Sequence, residues 1–200
     1  MPESVITILT RDHRTVDELF KKFEQTTNRA HKTRAELVTT ITRELSIHAG
    51  VEETVVYPRF RKAGKEIKDK VLEGLEEHHV VKELLAELEH MEPGDERFEA
   101  KVQVLIENVR HHVKEEEGDM FPRAKKALSD SELRDLGEAV EAARSMVPTH
   151  PHPNAPDEPP GNLANVAVAG LDRAKDTAAA AIEATGHVVR ETRKAVTGDR

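Results

Sequence analysis

The chain contains no cysteine and no tryptophan, and aromatic residues make up only 3% of it. Without cysteine there are no disulfides, no thiolate metal sites and no cysteine nucleophile. So few aromatics fit helices with aliphatic cores better than a sandwich or a barrel. No apolar run approaches the length of a membrane span and the N-terminus has no signal-peptide core, so a soluble cytoplasmic protein is expected. A formal charge of −8 argues against a nucleic-acid surface over the whole protein. Neither a Gly-rich phosphate loop nor a nucleophile elbow appears. Two residue classes are plentiful instead. Charged residues, at 34%, suit solvated helix faces, and the eleven histidines are an odd excess whose positions carry the reading.

Two hundred residues allow one ordinary domain plus an appendage. Four segments carry apolar residues at helical spacing between short polar breaks. The first runs Ile6, Leu9, His13, Val16, Phe20, Phe23, and the second Leu37, Ile41, Leu45, His48, Glu52, Val55. After Ala63 and Gly64 come Ile67, Val71, Leu75, His78, Val81, Leu85 and Leu88. After Pro93, Gly94 and Asp95 come Phe98, Val102, Leu105, Val109, His112 and Glu116. Steps of three and four put each set on one helix face. Short breaks make successive helices antiparallel neighbours, which predicts an all-α, up-down-up-down four-helix bundle over residues 1–128. Every stripe is interrupted by a histidine, and two also by a glutamate.

The interruptions repeat. His48 and Glu52, followed by Tyr57-Pro58, match His112 and Glu116, followed by Phe121-Pro122, at equal intervals. Asp12-His13 with Val16, Glu18 and Leu19 matches Glu77-His78 with Val81, Glu83 and Leu84. A helix pair is therefore written twice, about 64 residues apart, which places equivalent residues about a pseudo-twofold axis. The repeat selects His78 over His79 and His112 over His111, since a sequence neighbour is turned about 100° away. Counting back to the turns at about 1.5 Å per residue brings all six side chains close to one level of the bundle.

An unpaired buried carboxylate costs several kcal/mol even after relaxation. Two of them would consume much of the roughly 5–15 kcal/mol by which a domain is stable. No lysine or arginine interrupts the stripes at that level, so a pair of cations is the expected neutraliser. Imidazole with carboxylate suits iron, and the missing thiolates argue against structural zinc. His13, His48, Glu52, His78, His112 and Glu116 are the candidate metal ligands.

His13, then His48-x-x-x-Glu52, then His78, then His112-x-x-x-Glu116 resembles the bacterial hemerythrin-like family, the HHE cation-binding domain. The phrases Glu77-His78 with Lys82-Glu83-Leu84-Leu85, and His112 with Glu115-Glu116-Glu117 and Phe121-Pro122, resemble it closely over residues 1 to about 126. The resemblance implies a non-haem di-iron centre with two iron ions, oxo- or hydroxo-bridged. It implies that Glu52 and Glu116 bridge them and that the four histidines are terminal. It also implies a protein that binds or processes dioxygen, peroxide or nitric oxide, or handles iron. Oxygen-carrying hemerythrins use five histidines, and here the position four after His78 is Lys82. Four histidines leave one open position on each iron, which favours a peroxide-consuming, catalase- or peroxidase-like or nitric-oxide-related oxidoreductase over reversible carriage. A non-enzymatic sensor, carrier or store for oxygen, nitric oxide or iron is the alternative. Tyr57 is a possible further ligand, although its counterpart Phe121 points to packing.

Glu76-x-x-His79 and Glu87-x-x-His90 both lie on one helix, so they do not make the two-helix pattern of ferritin-like centres. Beyond the bundle, Ser129 and Glu132 read as a capping box opening an accessory helix over 129–146, packed across one end of the bundle. Residues 147–162, rich in proline and carrying His150 and His152, read as an extended linker. An Ala-rich amphipathic helix over 163–200 carries Val168, Leu171, Ala178, Ile182 and Val189 on one stripe. It lacks the faces of a strong membrane binder, and docking on its own bundle, self-association or a protein contact are all open.

Overall fold

The computed structural model describes residues 2–156 and 168–181. Among the described residues there are helices and no strands. Helix α1 spans Val5–Glu24, α2 His31–Val51 and α3 Tyr57–Phe60. Helix α4 spans Lys65–Leu88, α5 Phe98–Glu115, α6 Phe121–Ala127 and α7 Asp130–Ala143. Residues 168–181 form α8. Helix α1 packs on α2 and α4 on α5, as the short breaks require.

Local chemistry sets the ends. Ser4 caps α1 by accepting from the Thr7 amide, and Lys21 and Lys22 sit in its last turn, where the helix dipole favours cations. Ser129 and Glu132 form the expected capping box of α7. Leu133 and Val140 of that helix are buried with the core, and Gly137 lies so close to the Glu3 carbonyl that no side chain would fit.

Two π-helical turns join α2 to α3 and α5 to α6, at Glu52–Val56 and Glu116–Met120. Each starts at one of the candidate glutamates, and the amides of Tyr57 and Phe121 bond the carbonyls five residues back. Proline follows at once, as Pro58 and Pro122. A proline inside a helix lacks the amide and clashes with the carbonyl four residues earlier, and widening the turn relieves that clash. The extra residue also shifts the stripe. Val55, expected in the core, is half-buried, and Val56 takes the fully buried place.

The core divides into two apolar halves. One gathers Leu9, Val51, Val56, Phe60, Val71 and Phe121, and the other Phe20, Phe23, Ile41, Leu85, Leu88 and Leu105. The predicted stripe residues of α1, α4 and α5 are all buried. His13, His48, His78, His112, Glu52 and Glu116 fall between the halves along their helices and are buried as well.

The tail departs from expectation in two ways. Residues 147–155 do not stand off as a spacer: Val147 and Thr149 are buried, and Val147 presses on Gly50 of α2. Helix α8 docks through Ala169, Asp172 and Arg173, whereas Leu171 of the anticipated stripe is 66% exposed. Unmet hydrogen bonds explain the choice of face. Asp172 accepts from the Thr149 and His150 amides, and Arg173 donates to the Val147 and Arg144 carbonyls. Ile182, Val189 and the rest of the anticipated 157–167 and 182–200 segments lie outside the described residues.

Candidate metal centre

The structure brings all six predicted residues together. Their rings pair by helix pair, with His13 and His48 centroids 4.9 Å apart and those of His78 and His112 4.7 Å apart. The glutamates lie between the pairs. Glu52 Oε2 is 3.3 Å from His48 Nε2 and 3.2 Å from His78 Nε2. Glu116 Oε2 is 3.2 Å from His13 Nε2 and 3.6 Å from His112 Nε2. Each carboxylate thus touches one histidine from each half of the repeat. Among the described residues, the groups able to hold a metal are His13, His48, Glu52 and Glu116, and Glu52, His78 and His112. Their donor atoms lie within 4.8 Å of one another. His79 and His111, which the repeat set aside, are exposed.

A set of carboxylates not singled out in the sequence surrounds these histidines. His13 Nδ1 pairs with Glu117 at 2.8 Å, His78 Nδ1 with Glu53 at 3.0 Å and His112 Nδ1 with Glu77 at 2.7 Å. Asp12 stands 3.7 Å from His48 Nδ1. A carboxylate on Nδ1 fixes the proton there, so that Nε2 turns a lone pair toward the interior. The repeat held the signal. Asp12 and Glu77 each precede a candidate histidine, and Glu53 and Glu117 each follow a candidate glutamate. Lys82, where a fifth histidine would stand, reaches Glu53 at 2.6 Å and neutralises this third buried carboxylate instead of Glu52 or Glu116.

The residues fit a cation pair. His13 Nε2, His48 Nε2, both oxygens of Glu52 and Oε2 of Glu116 are buried without a hydrogen-bond partner. Carboxylate oxygens face imidazole Nε2 atoms at 3.2–3.6 Å, contacts that without a cation need a proton between oxygen and nitrogen, and a cation takes that proton's place. Protein groups alone leave the site electrostatically poor. Burial and the neighbouring Glu116 charge push the Glu52 carboxyl well above the usual carboxylate range. Burial also raises Glu116, but His112 and His13 outweigh it, and its net shift is downward. Burial takes His48 down to about 4. Glu53 is driven up by burial and, more strongly, down by His78 and Lys82, so it stays ionised.

Tyr57 enters the same layer. Its hydroxyl donates to Glu116 Oε1 at 2.9 Å and lies 3.4 Å from His78 Nε2. Gly74 makes room, since a side-chain carbon there would sit 2.9 Å from the hydroxyl. Phe121, the counterpart of Tyr57, stacks on His13 with nothing polar to offer. A small cavity of about 20 Å³ touches all four histidines and is walled by Val16, Leu45, Val81, Val109 and Val113. That is room for one water-sized molecule.

A four-helix bundle with a duplicated histidine and glutamate layer at mid-depth is the architecture of a cation-binding helical domain. Residues 4–124 match the hemerythrin HHE cation-binding domain, and the chain belongs to that family. It is 36% identical over 135 residues to an uncharacterised hemerythrin-like protein of Schizosaccharomyces pombe, covering 66% of each chain. It is 29% identical over 140 residues to a DNA nickase of a Nostoc strain, covering 70% of this chain and 39% of that protein. The chain thus spans about two thirds of the first relative's length and well under half of the second's. The crystal structure of a hemerythrin HHE cation-binding domain-containing protein from Mycobacterium kansasii aligns with a TM-score of 0.61 at 24% identity. That alignment covers 71% of this chain and 85% of the other, and it shows the shared fold. Among the described residues, no helix is long and apolar enough to cross a membrane.

Proposed function

We propose that this chain is a non-haem di-iron protein that consumes peroxide. Two irons would be held by Glu52 and Glu116 together with His13 and His48 at one end and His78 and His112 at the other. The observation that carries the reading is the placement of each carboxylate between histidines of opposite halves, with its buried oxygens short of donors. Bound there, an iron pair supplies two-electron redox chemistry, which suits peroxide, dioxygen or nitric oxide.

The protein's own groups prepare the site. Outer carboxylates orient three of the four imidazoles, and Tyr57 holds one oxygen of Glu116. The valines and Leu45 around the cavity exclude anything larger than a small molecule and keep the approach dry. Lys82 does not reach the donors, since its ammonium is engaged by Glu53, which supports four histidine ligands rather than five. Disproportionation of hydrogen peroxide should therefore be catalytic and should scale with iron content across preparations. If iron-loaded protein consumes peroxide no faster than an equal amount of free ferric ion, the enzyme reading fails, and a sensor, carrier or store takes its place.

A further inference from the structure

The repeat writes the outer carboxylates twice, but their surroundings differ between the two copies. Glu53 on His78 and Glu117 on His13 are equivalent in sequence. Glu53 is 2% exposed and tied to the Lys82 ammonium, whereas Glu117 is 40% exposed. The position equivalent to Lys82 is Asp17, which pairs with Lys21 and Arg110 on the surface. A second difference runs the same way. Glu77 holds His112 Nδ1 at 2.7 Å, whereas its equivalent Asp12 is drawn to Arg144 at 2.6 Å and leaves His48 Nδ1 without a hydrogen bond. The tail adds a third. Pro148, Pro151, His152 and Ala155 line a pocket together with Glu53 and Lys82.

We propose that Glu53 and Lys82 are a positioning pair for His78, and that they make the His78–His112 end the tighter of the two metal positions. The His13–His48 end is then the exchangeable one. This rests on the metal-centre reading above. A carboxylate on Nδ1 orients the imidazole and raises its basicity toward a metal. A buried carboxylate anchored by an ammonium does so continuously, whereas a half-exposed one divides its hydrogen bonds with water. One end therefore has two firmly held imidazoles. The other has His13 on a half-exposed partner and His48 with Asp12 no nearer than 3.7 Å to its Nδ1.

Iron release from the full-length, ferrous-loaded protein to a chromogenic chelator tests this, with helix content by circular dichroism as the folding check. Wild-type protein should release one iron quickly and one slowly. Glu53→Gln and Lys82→Met should each speed the slow phase, on the order of 10–100-fold, and leave the fast phase unchanged. Lys82→Arg should keep the slow phase, because a guanidinium still anchors Glu53, and Glu117→Gln should alter only the fast phase. Should Glu53→Gln not fold, the two Lys82 variants decide the matter. Release of both irons in a single phase, or acceleration of the same phase by Glu53→Gln and Glu117→Gln, overturns the inference alone. Wild-type protein that takes up no iron overturns the metal reading and this inference with it.

Discussion

Replacing Glu52 with methionine should make the metal-free protein more stable while destroying its capacity for iron. Glu52 is fully buried, its Oε1 has no hydrogen-bond partner, and both burial and Glu116 hold its carboxyl protonated well above the usual range. A buried polar group left unsatisfied costs about 1–3 kcal/mol, a large part of a total stability of roughly 5–15 kcal/mol. Methionine keeps an unbranched chain of similar length and loses comparable rotamer freedom, so the gain is mainly the relief of that penalty. For a chain of this size the melting temperature should rise by roughly 2–12 °C. Iron reverses the order, because free iron at a thousandfold excess over its dissociation constant adds about 4.1 kcal/mol to the wild type alone. Thermal unfolding by circular dichroism, with and without iron, gives both comparisons. Metal-free Glu52→Met melting at or below the metal-free wild type would refute the claim that Glu52 is a metal ligand kept at the expense of stability.

Removing a donor, by His112→Ala or Glu116→Ala, should lower bound iron well below two per chain, while His111→Ala and His79→Ala leave it near two; equal losses would show that the buried faces are misassigned. Tyr57→Phe should keep both irons and the visible spectrum at a stability cost of about 1 kcal/mol, since the hydroxyl is committed to Glu116. Loss of a visible charge-transfer band in that variant would mean that Tyr57 ligates iron. His150 should make tail docking pH-dependent. Burial lowers its pKa, but Glu89 and Asp176 outweigh burial and raise it above 6.5. Its contribution is therefore complete below about 6.5 and lost as the pH climbs through the raised value. Limited proteolysis should cut around 168–181 faster at about pH 9 than at about pH 6, and equal rates would count against it.

The four stripes and the six central residues were legible because each helix repeats its apolar face at a fixed step, and a polar residue on that face stands out. The internal duplication resolved the two histidine pairs that periodicity leaves ambiguous. The outer carboxylates were not legible in the same way. Glu53, Glu77 and Glu117 sit beside core positions, where charge reads as a solvated face, and only the pairing across helices gives them a role. Helical spacing assumes an unbroken turn, so it misplaced Val55, which the π turn rotates out of register with Val56. Pro58 and Pro122, six residues after each glutamate, were the available clue. The tail was hardest, because Glu89 with His150 and Arg144 with Arg173 are contacts between distant segments that leave no periodic trace.

Metal analysis of the aerobically purified chain, combined with its electronic spectrum, tests the central claim most directly. The account predicts two irons per chain and the near-ultraviolet absorption of a bridged ferric pair, both lost in Glu116→Ala. One iron or none at saturation, or a spectroscopically silent zinc in the same donors, would contradict it.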